Sequence, residues 1–255
     1  MITIDKLCYQ SRLRYVNASE KFAYAMITLM LSVVSRSLAA AGIIFLTNGI
    51  LTVGKGGISL SRYIKMFFIP AAFLLLSTVT IMVNISRTPM DAFALSVGGW
   101  YLTGSWESVS QGMQLCGIAL SAVSCLYFLS LNTTMTDILG VLKKLHVPGL
   151  LIELMLLIYR FIFVLLETAS AIRISQEARL GNRSYRASLR SFGEMSAALF
   201  ILALKRSGAI YNAMESRCYD GKIRVLTEDR PAKGREITAI VLFELILLLV
   251  IVAGW

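Results

Sequence analysis

The stretch that decides the fold is Gln111–Leu131, QGMQLCGIALSAVSCLYFLSL, which contains no charged residue. Because bilayer hydrocarbon is about 30 Å thick, a spanning helix needs roughly 20 mostly apolar residues. The stretch has that length and therefore predicts a transmembrane helix. Two more stretches are of the same kind: Met66–Val83, which contains one proline, and Ile237–Trp255, whose single charge is Glu244.

The apolar stretch Phe22–Val53 is interrupted by Ser35-Arg36-Ser37. Since a charge is costly in lipid, we predict two short or tilted spans joined by a turn at Arg36; one long tilted helix is the alternative. The chain is thus predicted to be an all-α integral membrane protein with about five transmembrane helices. Composition agrees, because 56% of the residues are hydrophobic and 16% charged, against about 45–50% and about 25% in soluble domains.

The distribution of Lys and Arg predicts the orientation of the chain. Short loops rich in these residues stay in the cytoplasm, and both residues 1–21 and the loop Gly54–Lys65 fit that description. The loop Asn84–Ser110 has one basic residue, Arg87, and is predicted to lie outside. Its aromatic residues are typical of a membrane interface: Trp100, Tyr101 and Trp106. The N-terminus is therefore predicted to be cytoplasmic and the C-terminus extracytoplasmic.

We accordingly predict a membrane domain with about four spans (1–131), a cytoplasmic domain (132–236) and a C-terminal transmembrane helix (237–255). The cytoplasmic domain is expected to begin with an amphipathic helix over Asn132–Val147, starting at Thr136-Asp137.

Two long helices are predicted to follow, over Leu150–Leu180 and Ser191–Tyr219. Three charges of the first recur every seven residues and fall on one stripe: Glu153, Arg160 and Glu167. Each ionised group costs about 2.5–3.5 kcal/mol at the centre of a bilayer. This helix is therefore expected to lie at the inner face of the membrane, with its stripe paired to a neighbour.

Each long helix ends in a glutamate, a small residue and an arginine. The two triplets are Glu177, Ala178, Arg179 and Glu215, Ser216, Arg217. One interpretation is helix-end chemistry, in which arginine complements the helix dipole and Gly181 or Gly221 adopts the left-handed cap conformation. The other is a pair of cationic ends presented to two equivalent sites on a symmetric partner. The residues alone leave both interpretations open.

The chain resembles the T component of energy-coupling factor (ECF) transporters, the CbiQ family, of cobalt type. The resemblance rests on the two triplets, on Ser11-Arg12-Leu13-Arg14 and on the run Tyr159–Glu167. The resemblance covers nearly the whole chain. It implies that the triplets correspond to paired Ala-Arg-Gly-like motifs, which end two cytoplasmic coupling helices and dock into two ABC ATPase subunits. In this chain Leu180 and Cys218 follow the two arginines.

The resemblance further implies a non-catalytic energy-coupling subunit of an ABC importer in a prokaryotic cytoplasmic membrane. The ATPase subunits would bind ATP and Mg²⁺, and a separate S component, CbiM-like for cobalt, would bind the substrate. No cofactor, metal or nucleic acid is expected on this chain. Nickel or a vitamin is the alternative substrate.

Other function classes find little support in the residues. Val53-Gly54-Lys55-Gly56-Gly57 lacks the spacing of a P-loop, and scattered acids do not suggest an enzyme acting on a phospholipid or prenyl diphosphate. A self-sufficient channel or transporter would place charges within its spans, where only Glu244 and Arg36 qualify. A row of small residues in the fourth span is predicted either to pack within the chain or to contact the S component: Gly117, Ser121 and Cys125.

Overall fold

A computed structural model describes residues 3–82, 84–86, 93–97, 100–221, 231 and 233–253. Its helices, in chain order, are α1 (Thr3–Gln10), α2 (Ala18–Ser35), α3 (Leu38–Ile50), α4 (Leu60–Met82), α5 (Trp106–Asn132), α6 (Met135–Lys144), α7 (Gly149–Ala178), α8 (Tyr185–Glu215) and α9 (Gly234–Ala253). A 3₁₀ turn, Arg12–Tyr15, precedes α2, and a π-helical turn, Leu51–Lys55, extends α3. Arg87 and Asp91 of the predicted outer loop, and Trp255 at the predicted outer end, lie outside the described residues.

Between α4 and α5 the chain forms a small antiparallel sheet that the sequence analysis did not predict. Its strands are β1 (Asn84–Ser86), β2 (Phe93–Val97) and β3 (Trp100–Gly104), with β3 in the centre. Ile85 and Leu95 both lie opposite Leu102. The all-α architecture is confirmed for the long elements, and the sheet is an addition within the predicted outer loop.

The chain divides into two compact units. We call Ile2–Ile138 with Glu228–Trp255 the bundle unit, and Leu139–Thr227 the hairpin unit. Five helices within the described residues are long and apolar enough to cross a membrane: α3 with its π-helical turn, α4, α5, α7 and α8. The number matches the prediction, but the set differs, because α7 and α8 are included whereas α2 and α9 are not.

The break predicted at Ser35-Arg36-Ser37 is confirmed. Helix α2 ends at Ser35, and Arg36 adopts the left-handed conformation with φ of 48°. The Ser37 hydroxyl then accepts a hydrogen bond from the Ala40 amide, which caps the start of α3. A single long helix over this stretch is excluded.

Several predicted helix starts were placed too late, among them that of α8, which begins at Tyr185 instead of Ser191. Helix α4 begins at Leu60 instead of Met66, so part of the predicted basic loop is helical. Helix α5 begins at Trp106, because the Ser105 hydroxyl caps it. Helix α6 begins one residue before Thr136, since the capping oxygen is that of Thr134, which accepts from the Asp137 amide at 3.3 Å.

Buried polar side chains link three helices of the bundle unit. The Tyr24 hydroxyl of α2 donates to Asn48 Oδ1 of α3 at 3.0 Å. Asn48 Nδ2 in turn donates to Ser124 Oγ and Cys125 Sγ of α5, at 3.0 and 3.3 Å. Asn48, Ser124 and Cys125 are fully buried. Because lipid offers no hydrogen-bonding partner, the polar groups of a membrane bundle must satisfy one another.

The row of small residues on α5 packs within the chain. A side chain added at Gly117 would collide with Leu38 of α3, and Ser121 hydrogen-bonds Ser32 of α2. With Cys125 bonded to α3 as described above, all three positions face neighbouring helices of the bundle. Of the two predictions for this row, packing within the chain is confirmed.

Candidate docking ends of the hairpin unit

Helices α7 and α8 form an antiparallel pair. Helix α7 starts after Pro148, and α8 starts where the Ser184 hydroxyl accepts from the Ala187 amide at 3.3 Å. The end of α7 contacts the beginning of α8 through Gln176 and Ser191. The end of α8 reaches the beginning of α7 through Tyr219 and Glu153.

The two predicted triplets end their helices in the same backbone turn. After α7, the amides of Leu180 and Gly181 donate to the carbonyls of Glu177 and Gln176, at 3.0 and 2.8 Å. After α8, the amides of Cys218 and Tyr219 donate to the carbonyls of Glu215 and Met214, at 2.9 and 3.1 Å. Both pairs of bonds define a Schellman turn. The two triplets therefore share a backbone conformation as well as a sequence pattern.

Within each turn the arginine directly precedes the left-handed residue. That residue is Leu180 in the first turn, with φ of 56°, and Cys218 in the second, with φ of 58°. The prediction that Gly181 adopts the left-handed cap was wrong. Gly221 does have a positive φ, 82°, but it lies beyond the turn. A side chain in the left-handed region costs about 1–2 kcal/mol, so both turns hold a residue under strain.

The turn by itself is not specific to the triplets. Helix α6 ends in the same way, with His146 left-handed at φ of 60° and the Val147 amide donating to the Leu142 carbonyl. The residue that precedes His146 is Leu145, where α7 and α8 have arginine. What distinguishes the latter two ends is therefore the exposed cation at this position of the turn.

All six triplet residues are exposed. Within the first triplet, Glu177 Oε1 accepts from Arg173 Nε at 2.9 Å, an ion pair along the exposed face of α7. Arg179 lines a groove of about 490 Å³ between α7 and α8, whose floor includes Ile172 and Met195. Polar side chains also line this groove: Thr168, Ser175, Gln176 and Glu194. A partner side chain that approaches the first end would therefore meet a guanidinium beside a surface of mixed polar and apolar character.

The first end is fastened to the start of α8 by two hydrogen bonds. Gln176 Nε2 donates to the Ser191 carbonyl at 2.8 Å, and Ser191 Oγ donates to the Gly181 carbonyl at 2.9 Å. Glycine is required here by space, because a Cβ at Gly181 would lie 2.8 Å from Ser191 Oγ and 2.9 Å from the Gln176 carbonyl. Ser191 is also the single buried residue of α8.

The second end is fastened to a distant part of the chain. The Tyr219 hydroxyl donates to Glu153 Oε2 at 2.7 Å, across a sequence separation of 66 residues. This bond raises the pKa of the Tyr219 hydroxyl above its ordinary value.

The predicted charge stripe is only partly joined by these contacts. Glu153 is half-buried and bonded to Tyr219, whereas Arg160 and Glu167 are exposed. Sequence reasoning missed three residues that fasten the ends: Gln176, Ser191 and Tyr219. Tyr219 had one available signal, since it follows the second triplet at the position that Gly181 occupies after the first.

Within the residues that the structure describes, no three His, Cys, Asp or Glu side chains come together as a group that could hold a metal ion. The chemistry offered by the two ends is that of exposed guanidinium groups on rigid helix ends. Such groups bind carboxylates and carbonyl oxygens through hydrogen bonds in a fixed geometry.

Comparison with known families identifies the chain. The model of the CbiQ cobalt transport protein family matches residues 10–228. The chain belongs to the CbiQ family. It is thereby a transport component and a multi-pass membrane protein, in agreement with its apolar helices.

Named relatives support the CbiQ assignment over most of the chain. The cobalt transport protein CbiQ of Salmonella typhimurium is 32% identical over 222 residues, which is 87% of this chain and 98% of that protein. An uncharacterized protein of Methanocaldococcus jannaschii is 32% identical over 246 residues, covering 96% of this chain and 91% of its own length. A putative fused cobalt transport protein CbiMQ of Methanocorpusculum labreanum is 29% identical across 94% of this chain, which corresponds to 40% of the fused protein.

Proposed function

We propose that this CbiQ-family chain is the non-catalytic T component of an ECF-type importer for cobalt. In this role Arg179 and Arg217 each dock into one of two ABC ATPase subunits, and the bundle unit contacts a CbiM-like S component. The ATPases hydrolyse ATP, with its Mg²⁺, and the S component carries the substrate. The matching turns at the ends of α7 and α8, each with an exposed arginine, are the observation that carries this proposal.

The distance between the two ends supports two separate partners. Helix α8 has 31 residues, and a helix rises about 1.5 Å per residue, so α8 is about 46 Å long. Arg179 precedes α8 and Arg217 follows it. A single small groove cannot accept both arginines across that length, whereas two copies of one subunit offer the same groove twice.

The charges of α7 and α8 favour a cytoplasmic position over a transmembrane one, although their length and apolar content fit either. Arg160 and Glu167 are exposed on α7, and Lys205 and Arg206 are exposed midway along α8. Each would cost about 2.5–3.5 kcal/mol at the centre of a bilayer. Together with the basic short loops, this favours a cytoplasmic N-terminus and hairpin unit in a prokaryotic inner membrane.

The proposed S component has its support in the fused relative. That protein's name joins CbiM and CbiQ in one chain, and fusion keeps two partners together. A CbiM-like protein is therefore the expected partner of this chain, and cobalt is its expected substrate. The cobalt itself would be recognised by the S component.

Transmission of work follows from the stiffness of the helices. If ATP binding brings two ATPase subunits together, two ends anchored one to each must change their separation. Because α7 and α8 are continuous helices fastened to each other at both ends, they would tilt or slide as rigid bodies. That displacement is what the T component would pass to the membrane.

Co-purification tests the proposal. A tagged chain expressed with the two ABC ATPase subunits and the CbiM-like protein should recover a complex with two ATPase subunits per chain. Arg179→Glu together with Arg217→Glu should abolish recovery of the ATPases, because each docking cation becomes an anion. The matched control is Arg206→Glu, the same change of charge on an exposed residue midway along α8.

The single variants make the test sharper. Either Arg→Glu change alone should leave partial recovery through the other end. Normal assembly by the double variant would return both arginines to the role of helix caps. A chain that purifies alone and transports cobalt in liposomes would instead favour a self-sufficient transporter.

A further inference from the structure

We propose that Tyr219 and Glu153 are positioning residues that lock the second docking end to the start of α7, so that the two move together when an ATPase subunit engages Arg217. This inference deepens the proposed function and rests on it. In this proposal neither Tyr219 nor Glu153 contacts the ATPase subunit.

The two ends differ in how far along the chain their fastening residues lie. The first end is held by Ser191, 15 residues from Gln176, across the short connection between α7 and α8. The second end is followed by Asp220 and Gly221, both exposed. Its fastening comes from 66 residues away, through the 2.7 Å bond between Tyr219 and Glu153. A bond between distant segments constrains their relative position, which a local cap does not.

The position of Tyr219 makes the bond effective. Its amide closes the Schellman turn by donating to the Met214 carbonyl, while its hydroxyl donates to Glu153. Arg217 lies two residues earlier in the same turn. The hydroxyl of Tyr219 therefore fixes the turn that presents Arg217, and it fixes that turn against α7.

The partner residue lies where motion can be transmitted. Glu153 is four residues into α7, and Pro148 stands directly before that helix. Because Glu153 lies within the first two turns of α7, a pull on its carboxylate acts directly on the start of that helix. Through the bond between Tyr219 and Glu153, an ATPase subunit bound at Arg217 would pull on both α7 and α8.

A purely structural role for the tyrosine ring is the competing explanation. Tyr219→Phe distinguishes the two, because it keeps the ring and removes only the donor. Glu153→Gln retains an acceptor oxygen and should behave as the native chain, whereas Glu153→Leu should behave as Tyr219→Phe. Tyr211→Phe, on an exposed tyrosine of α8, is the matched control.

Cys218 offers a native probe at this end. It is exposed, Cys8 and Cys125 are buried, and Cys116→Ser removes the remaining accessible thiol. With a second label at Leu150→Cys, an exposed position at the start of α7, spin-label distances measure how firmly the second end is held. We expect one narrow distance distribution in the isolated chain, and a clearly broader one in Tyr219→Phe. An unchanged distribution in Tyr219→Phe overturns the proposed lock.

The same thiol tests the function on which the lock rests. In the complex with ATPase subunits, docking of Arg217 should slow the reaction of Cys218 with a maleimide relative to the isolated chain. Tyr219→Phe should restore the reaction rate in the complex about threefold to tenfold, the range expected for the net loss of one hydrogen bond that is partly exposed to water. If the native chain shows no protection, docking at Arg217 is wrong, while the distance measurement still decides the lock.

Discussion

The bundle unit and the hairpin unit differ in where hydrogen bonds from polar side chains join their helices. In the bundle unit, Asn48 lies at the centre of a fully buried network that joins three helices. In the hairpin unit, α7 has no buried residue and α8 has only Ser191. Its named fastenings stand at the two ends, around Gln176 and Tyr219.

Because of this difference, we expect the two units to respond differently to an applied force. A bundle held from its interior resists relative motion of its helices, because any shift breaks bonds that nothing in lipid replaces. In the hairpin unit the hydrogen bonds lie at the ends of α7 and α8, so the faces along both helices are available for contact with partner proteins. The hairpin unit also places its fixed points beside the two arginines, where the proposed ATPase subunits would pull.

The largest effect is expected when the same substitution is made in each unit. Asn48→Ala should lower the free energy of unfolding by about 2–4 kcal/mol, because it removes bonds to three side chains and leaves the Tyr24 hydroxyl without its acceptor. Asn212→Ala, on the exposed face of α8, should change it by less than about 0.5 kcal/mol. Thermal unfolding of the purified chain in detergent measures both. Equal losses would refute the contrast between an interior-held and an end-held unit.

Glu244 is a buried acidic residue of the bundle unit whose replacement is expected to increase the free energy of unfolding. It lies on the same face of α9 as Leu247 and Ile251, which pack into the core. Among the described residues, neither of its carboxylate oxygens has a hydrogen-bond partner. Glu244→Leu should therefore raise the free energy of unfolding by about 1–2 kcal/mol.

A graded series checks this explanation of Glu244. Glu244→Gln removes the charge but keeps a buried polar group, so it should gain less than leucine in the same unfolding measurement. A loss of stability in both variants would mean that the carboxyl has a partner and contributes to the network.

The smallest effect is expected at the two strained turns of the hairpin unit. Leu180→Gly and Cys218→Gly relieve a left-handed side chain, and each should stabilise its helix end by about 0.5–1 kcal/mol. Hydrogen exchange of the last turns of α7 and α8 measures this directly. Lys144→Gly at the end of α6, a position that is not left-handed, should destabilise its helix. A loss of protection in the first two variants would contradict the strain at these turns.

Much of the bundle was accessible from the sequence, because lipid imposes simple rules of length and charge. The break at Arg36 followed from one charge between two serines. Helix starts were less accessible, since Leu60 and Trp106 precede the strongly apolar stretches, and the start at Trp106 depends on a cap by the Ser105 hydroxyl. The strands β1 to β3 were missed because the loop was interpreted only for its charge and aromatic content.

The sequence predicted some features of the two docking ends and missed others. The repeated glutamate, small residue and arginine were visible, and the backbone turn at each end matches. The left-handed residue was assigned to Gly181 because glycine adopts that conformation most easily, yet close packing against Ser191 occupies that position. The bond from Tyr219 to Glu153 has no local signal, because it joins segments 66 residues apart.

One experiment directly tests whether the two ends engage two separate ATPase subunits. A photo-crosslinking amino acid placed at both Ala178 and Ser216, next to the two arginines, would capture whatever each end touches in the assembled complex. We expect one covalent product that contains this chain and two ATPase subunits. If both ends carry the crosslinker and every product contains only one ATPase subunit, the two ends do not engage two separate subunits.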